Sequence, residues 1–129
     1  MLASSPLLEA LGNAKTVRNN NSSRFGKWMV LRFNEYGLLH SAGIRSFLLE
    51  KTRVVSQALN ERNYHIFYQM LRGASAEMLE TLALNREASS YALLSSSKCD
   101  VVPSIDDKAE FEATVKALVC RWTCHKIFV

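Results

Sequence analysis

Residues 19–27 read NNNSSRFGK, a run of small polar side chains followed by an arginine, a phenylalanine, a glycine and a lysine. The wider stretch 13–27 shows neither the apolar period of a helix nor the alternation of a strand, so it predicts a loop. Asn and Ser side chains commonly hydrogen-bond their own backbone, so such a run by itself predicts only a turn. The flanking sequence therefore decides what this loop does.

A strand-forming segment follows the loop directly. Residues 27–33 (KWMVLRF) are rich in residues that favour strands, residues 34–37 (NEYG) have turn composition, and residues 38–49 can return as a second strand. The sequence therefore predicts a hairpin over 28–49. Apolar side chains on both of its faces predict that both are largely covered. Gly43 weakens the second strand and predicts a bulge there.

Apolar residues at helical spacing predict helices on both sides of the hairpin. Ser5 and Pro6 favour a helix start and Gly12 a helix end, which predicts a first helix within residues 1–12. The Ser-rich range 89–99 predicts irregular structure. The other predicted helices span 64–72, 76–84 and 106–122. Together these elements predict a mixed α/β fold with one hairpin followed by several helices.

The last predicted helix is amphipathic, and residues 104–107 (SIDD) at its start supply a capping pattern. Its predicted apolar stripe consists of Phe111, Val115, Leu118 and Trp122. Near the middle of the chain, the aromatic residues Tyr64, Phe67 and Tyr68 are interpreted as core side chains rather than a stacking platform. The histidines His40 and His65 are interpreted as ordinary structural residues.

Composition excludes several classes of protein. The chain has 129 residues, of which 48% are hydrophobic and 22% charged, and its formal net charge is +4. These are values of an ordinary globular domain, and so mild a positive charge does not predict nucleic-acid binding. Apolar runs such as residues 28–31 are much shorter than a membrane span, and residues 1–6 lack the pattern of a signal peptide.

The three cysteines are interpreted as free thiols rather than as a disulfide framework. Cys120, Cys124 and His125 have a spacing that could place two thiolates and an imidazole on one helical face, which zinc favours. Cys99 is far away in the sequence and no paired CxxC motif accompanies these residues. Free thiols are therefore the preferred interpretation.

Several ordered blocks together resemble the myosin motor domain. Residues 19–27 closely resemble the switch I loop of that family, and residues 6–16 (PLLEALGNAKT) are similar to the helix that leads into it. Residues 48–55 (LLEKTRVV), 61–69 (ERNYHIFYQ) and the helix at 106–114 (DDKAEFEAT) resemble further elements in the same order. A lone NSSR would be a weak signal, whereas ordered blocks over nearly the whole chain are a strong one.

The resemblance implies a role for each polar residue of the loop. Ser23 would ligate Mg²⁺, and Asn19, Ser22 and Ser23 would contact the phosphates of ATP. Ser22 would also lie beside the γ-phosphate and help to position the attacking water or relay its proton. Arg24 would pair with a glutamate of switch II and close the pocket around that water. The implied catalytic residues are therefore Ser22 and Arg24, and the implied cofactor is ATP with Mg²⁺.

Parts of the nucleotide site that the family requires have no counterpart in these 129 residues. Neither a G-x-x-x-x-G-K-[ST] phosphate loop nor a D-x-x-G-F-E switch II occurs, so we expect Arg24 to lack its glutamate partner. We therefore expect a fragment of a P-loop NTPase-type motor domain. Its expected parts are a helix (1–12), the switch I loop (13–27), a hairpin of the central sheet (28–49), a mainly helical part of the upper actin-binding-cleft subdomain (50–118) and a divergent tail (119–129).

The function implied by the resemblance is that of an actin-based cytoskeletal motor that hydrolyses ATP. Its expected partners are the actin filament and the rest of the motor domain, in the cytoplasm at the cytoskeleton, with no nucleic acid and no membrane span. The 129 residues alone are expected to be catalytically incompetent. The alternative is a truncated interaction module without enzymatic activity, or a gene-model fragment without function.

Overall fold

The computed structural model describes the backbone of residues 5–126 and the side chains of residues 5–120. Its first element is helix α1 (Ser5–Gly12), which ends at the glycine that the sequence indicates as a terminator. The remainder of the predicted helix over 1–12, residues 1–4, lies outside the described residues. Short antiparallel strands and further helices follow, so the fold mixes the two kinds of element as predicted.

Two short strands lie inside the stretch that was predicted to be a loop. Strand β1 (Asn13–Ala14) pairs antiparallel with strand β2 (Ser22–Ser23), so that Asn13 faces Ser23. The prediction of a continuous loop over 13–27 is therefore wrong at these positions. Strands of two residues form because backbone N–H and C=O groups need partners, and they are too short to leave an alternating pattern in the sequence.

The predicted hairpin is present. Strand β3 (Gly26–Phe33) pairs antiparallel with strand β4 (Leu39–Phe47) across a turn in which Gly37 has a φ of 73°. A positive φ of this size is tolerated by glycine without steric cost, so the glycine of the turn suits its place. The hairpin spans residues 26–47, so its bounds lie two residues before the predicted 28–49 at both ends.

The register irregularity of the hairpin lies elsewhere than predicted. Gly43 faces Val30 within a regular part of the ladder, so the bulge expected at Gly43 is wrong. The shift falls between Arg32 and Phe33, next to the turn. The turn sets this position, because the backbone N–H of Asn34 donates across it at 2.9 Å and the strands must accommodate that closure.

Large apolar side chains of the hairpin are exposed on both faces. The exposed fractions are 64% for Trp28, 59% for Phe33 and 47% for Phe47, and the sheet has two strands within the described residues. The expectation that both faces are covered is therefore not met by the described part of the chain. The alternation of apolar residues shows that a face is apolar but does not show what covers it.

We predict that the 129-residue chain self-associates through this hairpin, because exposed apolar strands with free edges pair with other chains. Replacing Phe33 by lysine introduces a charge on a strand and should lower the self-associated fraction at micromolar concentration by about twofold or more. Sedimentation velocity measures this fraction. Tyr36→Lys is the matched control, since Tyr36 is 78% exposed but lies in the turn outside the ladder. An equal effect of both substitutions would contradict the prediction.

Helices dominate the part of the chain that follows the hairpin. The described helices are α2 (His65–Gly73), α3 (Ala76–Thr81), α4 (Ala92–Ser95) and α5 (Asp107–Lys126), with 3₁₀ turns at Lys51–Val54 and Ala88–Ser90. The prediction of irregular structure over 89–99 is wrong where α4 forms, because Leu94 is buried in the core and its segment coils to place it there. Within the described residues, no helix is both long and apolar enough to cross a membrane.

The core lies around helix α2. Its buried members and the half-buried residues packed on them are Tyr68, Leu71, Ala88, Leu94, Phe67, Leu84 and Tyr91. Tyr64 is also buried, so the interpretation of the aromatic residues as core side chains is confirmed. At Gly73 helix α2 approaches α5 so closely that a Cβ atom there would overlap the Phe111 side chain, and a residue without a side chain is therefore needed.

Helix α5 buries its predicted apolar stripe only in part, because Phe111 and Val115 are half-buried. Its buried side chains are Asp107, Thr114 and Ala117, whereas Leu118 of the predicted apolar stripe is 48% exposed. The side chain of Trp122, the last member of that stripe, lies outside the described residues. The buried face is set by polar partners on α2 and on the segment before it, and an apolar period cannot reveal such partners.

Candidate functional site

The loop between β1 and β2 is held at both ends and at its tip. At its base, the backbone N–H of Arg24 donates to the carbonyl of Gly12 at 2.8 Å. At its tip, the backbone N–H of Thr16 donates to the carbonyl of Asn19 at 2.8 Å, and the backbone N–H of Asn21 donates to Asn19 Oδ1 at 2.9 Å. The Asn and Ser side chains therefore do form turns, and the turns hold the loop in a defined path.

The four loop residues to which the resemblance assigns roles differ in their exposure to solvent. Asn19 and Ser23 are exposed, whereas Ser22 and Arg24 are half-buried. Arg24 Nη1 donates to Ser22 Oγ at 3.1 Å, so these two side chains are brought together. Ser23 points to the other side of strand β2, where its hydroxyl donates to the carbonyl of Phe25 at 3.2 Å. A hydroxyl that donates its hydrogen still offers lone pairs to a cation.

Arg24 has a carboxylate partner within this chain. Its Nε lies 2.6 Å from Glu50 Oε2, and the backbone N–H of Glu50 donates to the carbonyl of Arg24 at 3.0 Å. The expectation that Arg24 lacks a glutamate is therefore wrong. The chain returns to the base of the loop after the hairpin, and that return places Glu50 beside Arg24 although 26 residues separate them.

Glu50 joins two arginines. Arg53 Nε lies 2.8 Å from the same carboxylate oxygen that Arg24 contacts. Burial opposes ionisation of Glu50, but the hydrogen bonds from Arg24 and then Arg53 outweigh it and lower the pKa of its carboxyl. The Tyr64 hydroxyl donates to the Glu50 carbonyl at 2.7 Å. Glu50 is thus ionised at neutral pH and fixes the direction of the Arg24 guanidinium.

The first half of the loop is attached to the same segment. Arg53 Nη2 lies 3.0 Å from one oxygen of Glu61, and the other oxygen of Glu61 accepts from the backbone N–H of Val17 at 3.3 Å. Lys15 Nζ donates to the carbonyl of Asn60 at 2.7 Å. Lys15 thus tethers the first half of the loop to the segment before helix α2.

A polar pocket of about 250 Å³ lies under the tip of the loop. Asn21 and His65 line it, and His65 is buried with its Nε2 3.2 Å from Asn21 Oδ1. Burial, together with the positive charge of Arg62, lowers the pKa of His65 to about 4, so the imidazole is neutral at pH 7. This agrees with the interpretation of His65 as a structural histidine.

The described residues contain no preformed cluster of metal ligands. Among them, no group of three His, Cys, Asp or Glu side chains is placed to hold a metal ion. Mg²⁺ prefers oxygen ligands and keeps several waters, and the exposed Ser23 hydroxyl is an oxygen donor. Cys124 and His125, weighed above as zinc ligands with Cys120, lie outside the described side chains.

The comparison with known families decides the identity. The chain matches the family model described as myosin head (motor domain) over residues 1–121. The chain belongs to the myosin motor-domain family. The resemblance inferred from the ordered blocks is confirmed. The mixed helix and strand structure with small antiparallel sheets agrees with a piece of such a domain.

Individual myosins are similar over nearly all of the chain. Myosin-1 of Emericella nidulans is 52% identical over 118 residues, which are 92% of this chain and 9% of the relative. Myosin-1 of Saccharomyces cerevisiae is 50% identical over 119 residues, which are 92% of this chain and 6% of the relative. Myosin-B/C of Toxoplasma gondii is 52% identical over 120 residues, with shares of 92% and 10%. The chain thus spans a tenth or less of the length of these curated relatives.

Sequence reasoning identified the loop but missed two residues that hold it. Glu50 lies within residues 48–55, which resemble the myosin motor domain, but no pattern in the sequence links it to Arg24. Asn21 lay inside the NNN run, and nothing in the run distinguished it from its neighbours. A contact map, rather than residue spacing, is the signal that would have found both.

Proposed function

We propose that this chain supplies the switch I loop of an actin-based myosin motor that hydrolyses ATP, within a domain of the P-loop NTPase type. One observation carries the proposal. Asn19 and Ser23 are exposed on a loop whose base and tip are fixed, inside a segment that matches the myosin motor domain. Exposed hydroxyl and amide groups on an anchored loop are the groups that phosphate and Mg²⁺ recognition need.

The proposed ligand contacts divide between the two exposed residues. When bound, Mg²⁺ with ATP supplies the charge neutralisation that phosphoryl transfer requires. Ser23 Oγ offers a lone pair to the metal, because its hydrogen is already donated to the Phe25 carbonyl. Asn19 Nδ2 is a donor suited to a phosphate oxygen, while its Oδ1 is held by the Asn21 N–H.

The proposed catalytic contacts belong to the two half-buried residues. Arg24 donates to Ser22 Oγ, which orients the hydroxyl so that its own hydrogen is a donor toward a γ-phosphate oxygen or the attacking water. Glu50 holds the Arg24 guanidinium at 2.6 Å and keeps it from turning into solvent. The ion pair would thereby keep the Arg24 guanidinium beside Ser22 when the nucleotide and the attacking water are bound.

The rest of the motor follows from the family. The helical residues 50–118 belong to the proposed upper actin-binding-cleft subdomain, with the actin filament as partner and the cytoskeleton as location. Ordering of the loop on nucleotide binding and its release after hydrolysis would couple the nucleotide state to the conformation of the motor. The exposed hairpin favours a second candidate, an interaction module that binds partners without turnover.

We expect the purified 129-residue chain to show no magnesium-dependent ATPase activity, because its sequence holds no phosphate loop. A chimera in which residues 1–121 replace the matching segment of Saccharomyces cerevisiae Myosin-1 should retain actin-activated ATPase activity. A coupled phosphate-release assay measures both. An inactive but folded chimera would contradict the motor proposal and favour the interaction module. Clear turnover by the 129 residues alone, abolished by Ser23→Ala, would contradict the expected incompetence.

A further inference from the structure

The side chain of Asn21 joins the loop to three other elements. Asn21 Nδ2 donates to Glu9 Oε2 in helix α1 at 3.1 Å. Asn21 Oδ1 accepts from Asn13 Nδ2 of β1 at 2.9 Å and lies 3.2 Å from His65 Nε2, at the start of α2. Two of these three partners are buried, with exposed fractions of 7% for Asn13 and 5% for His65. The loop is thereby fixed to residues that themselves cannot move freely.

The chemistry of the partners determines the orientation of this amide. The Glu9 carboxylate can only accept, so it must face the NH₂ group of Asn21. Asn21 Oδ1 then faces Asn13 Nδ2 and His65 Nε2, and both of these atoms can donate to it. His65 is neutral at pH 7, so its single ring hydrogen is on Nε2 in this arrangement. Only one of the two possible orientations of the Asn21 amide therefore gives both Oδ1 and Nδ2 a hydrogen-bond partner.

Asn21 also lies between the two parts of the proposed phosphate site. Its backbone N–H donates to Asn19 Oδ1, and the next residues along the chain are Ser22 and Ser23 of β2. We propose that Asn21 is a positioning residue, which holds Asn19 on one side and Ser23 on the other in the geometry that binds nucleotide phosphates. This inference rests on the proposed function of the loop.

The neighbouring asparagine provides a matched control. Asn20 Nδ2 donates to Ser104 Oγ at 2.8 Å, and Ser104 is exposed. Asn20 has the same side chain and borders the same pocket, but its contact reaches an exposed loop residue instead of buried elements. A substitution of Asn20 thus measures the effect of losing a loop amide that does not contact the buried elements.

The first experiment uses the 129-residue chain. Asn21→Asp keeps the shape of the side chain, but a carboxylate cannot donate to Glu9 and repels it. We expect hydrogen–deuterium exchange of residues 19–24 to become about tenfold faster, with exchange of α2 unchanged. In the double variant Asn21→Asp with Glu9→Gln, the glutamine NH₂ group at position 9 can donate to the new carboxylate. The exchange rate of residues 19–24 should therefore return toward the original rate. Asn20→Asp should leave it within about twofold.

The second experiment uses the chimera described above. The ATP-binding geometry of the loop would be populated for a smaller fraction of the time in Asn21→Asp, so the KM for ATP should rise about tenfold. The thermal unfolding midpoint should stay unchanged, which a merely structural role would not allow. Glu9→Gln should again restore the KM when combined with Asn21→Asp.

The outcomes separate this inference from the function on which it rests. An inactive chimera with its original Asn21 overturns the proposed function, and the inference with it. An active chimera in which Asn21→Asp has the original KM, while Ser23→Ala loses activity, overturns the inference alone. A raised KM that Glu9→Gln does not restore also overturns it, because the Asn21–Glu9 hydrogen bond would then not be the cause.

Discussion

Replacing Ser23 by alanine should lower the magnesium-dependent ATPase rate of the chimera by about 10²–10³-fold, the loss expected when one preorganised contact to the reacting centre is removed. Ser23 is exposed on β2, and its hydroxyl hydrogen is already donated to the Phe25 carbonyl. Its oxygen is thus presented as a ligand. Alanine removes the oxygen and keeps the strand, so the loss should appear in turnover rather than in folding. Steady-state rates at saturating ATP, with Mg²⁺ varied, measure it.

Two further variants make this result specific. Ser23→Thr keeps a hydroxyl on a strand that tolerates β-branched residues, so it should recover much of the rate. Ser46→Ala removes an exposed hydroxyl from β4, outside the loop, and should leave the rate unchanged. If Ser23→Ala were as active as Ser46→Ala, Ser23 would not be the metal ligand. If Ser23→Thr were as inactive as Ser23→Ala, the loss would come from packing.

The loop shows what sequence could and could not predict. Small polar residues at 19–23 are a local signal, so the loop and its family resemblance were found without coordinates. Glu50 supports Arg24 from 26 residues away, and Asn21 reaches Glu9, Asn13 and His65 on three different elements. Contacts of this kind depend on how the chain returns to itself, and no local pattern records that path.

For the helices, too, local features could be predicted from the sequence and contacts between distant residues could not. Most of the helical segments and their starts followed from local chemistry: Asp106 Oδ1 accepts from the backbone N–H groups of Lys108 and Ala109, and so caps α5. The buried polar positions of α5, Asp107 and Thr114, did not follow from the apolar pattern. An apolar period reveals only the hydrophobic part of an interface, and this interface is partly ionic.

That ionic part carries the second large prediction. Arg62 is fully buried and its Nη2 lies 2.8 Å from Asp107 Oδ1, where the exposed fractions of the two side chains are 0% and 4%. The Arg62 guanidinium also stacks over the Tyr68 ring at 3.8 Å, and its Nε and Nη1 atoms have no hydrogen-bond partner among the described residues. Asp107 is therefore the main compensation for a charge that water does not reach.

Asp107→Ala should lower the free energy of unfolding of the 129-residue chain by about 3–5 kcal/mol, because it leaves the Arg62 charge buried and unpaired. Urea denaturation followed by circular dichroism measures the change. Asp100→Ala is the matched control: Asp100 is 54% exposed and 3.4 Å from Arg72, so its removal should cost about 1 kcal/mol or less.

A double variant tests whether the buried charge itself is the cause. Arg62→Met fills the same space without a charge, so its combination with Asp107→Ala should be more stable than Asp107→Ala alone. If the double variant were less stable, the packing of the Arg62 side chain over the Tyr68 ring would contribute more to stability than its unpaired charge costs, because both variants lack Asp107. Equal stability of Asp107→Ala and Asp100→Ala would contradict the prediction outright, since a pair shielded from water would then contribute no more than one that water screens.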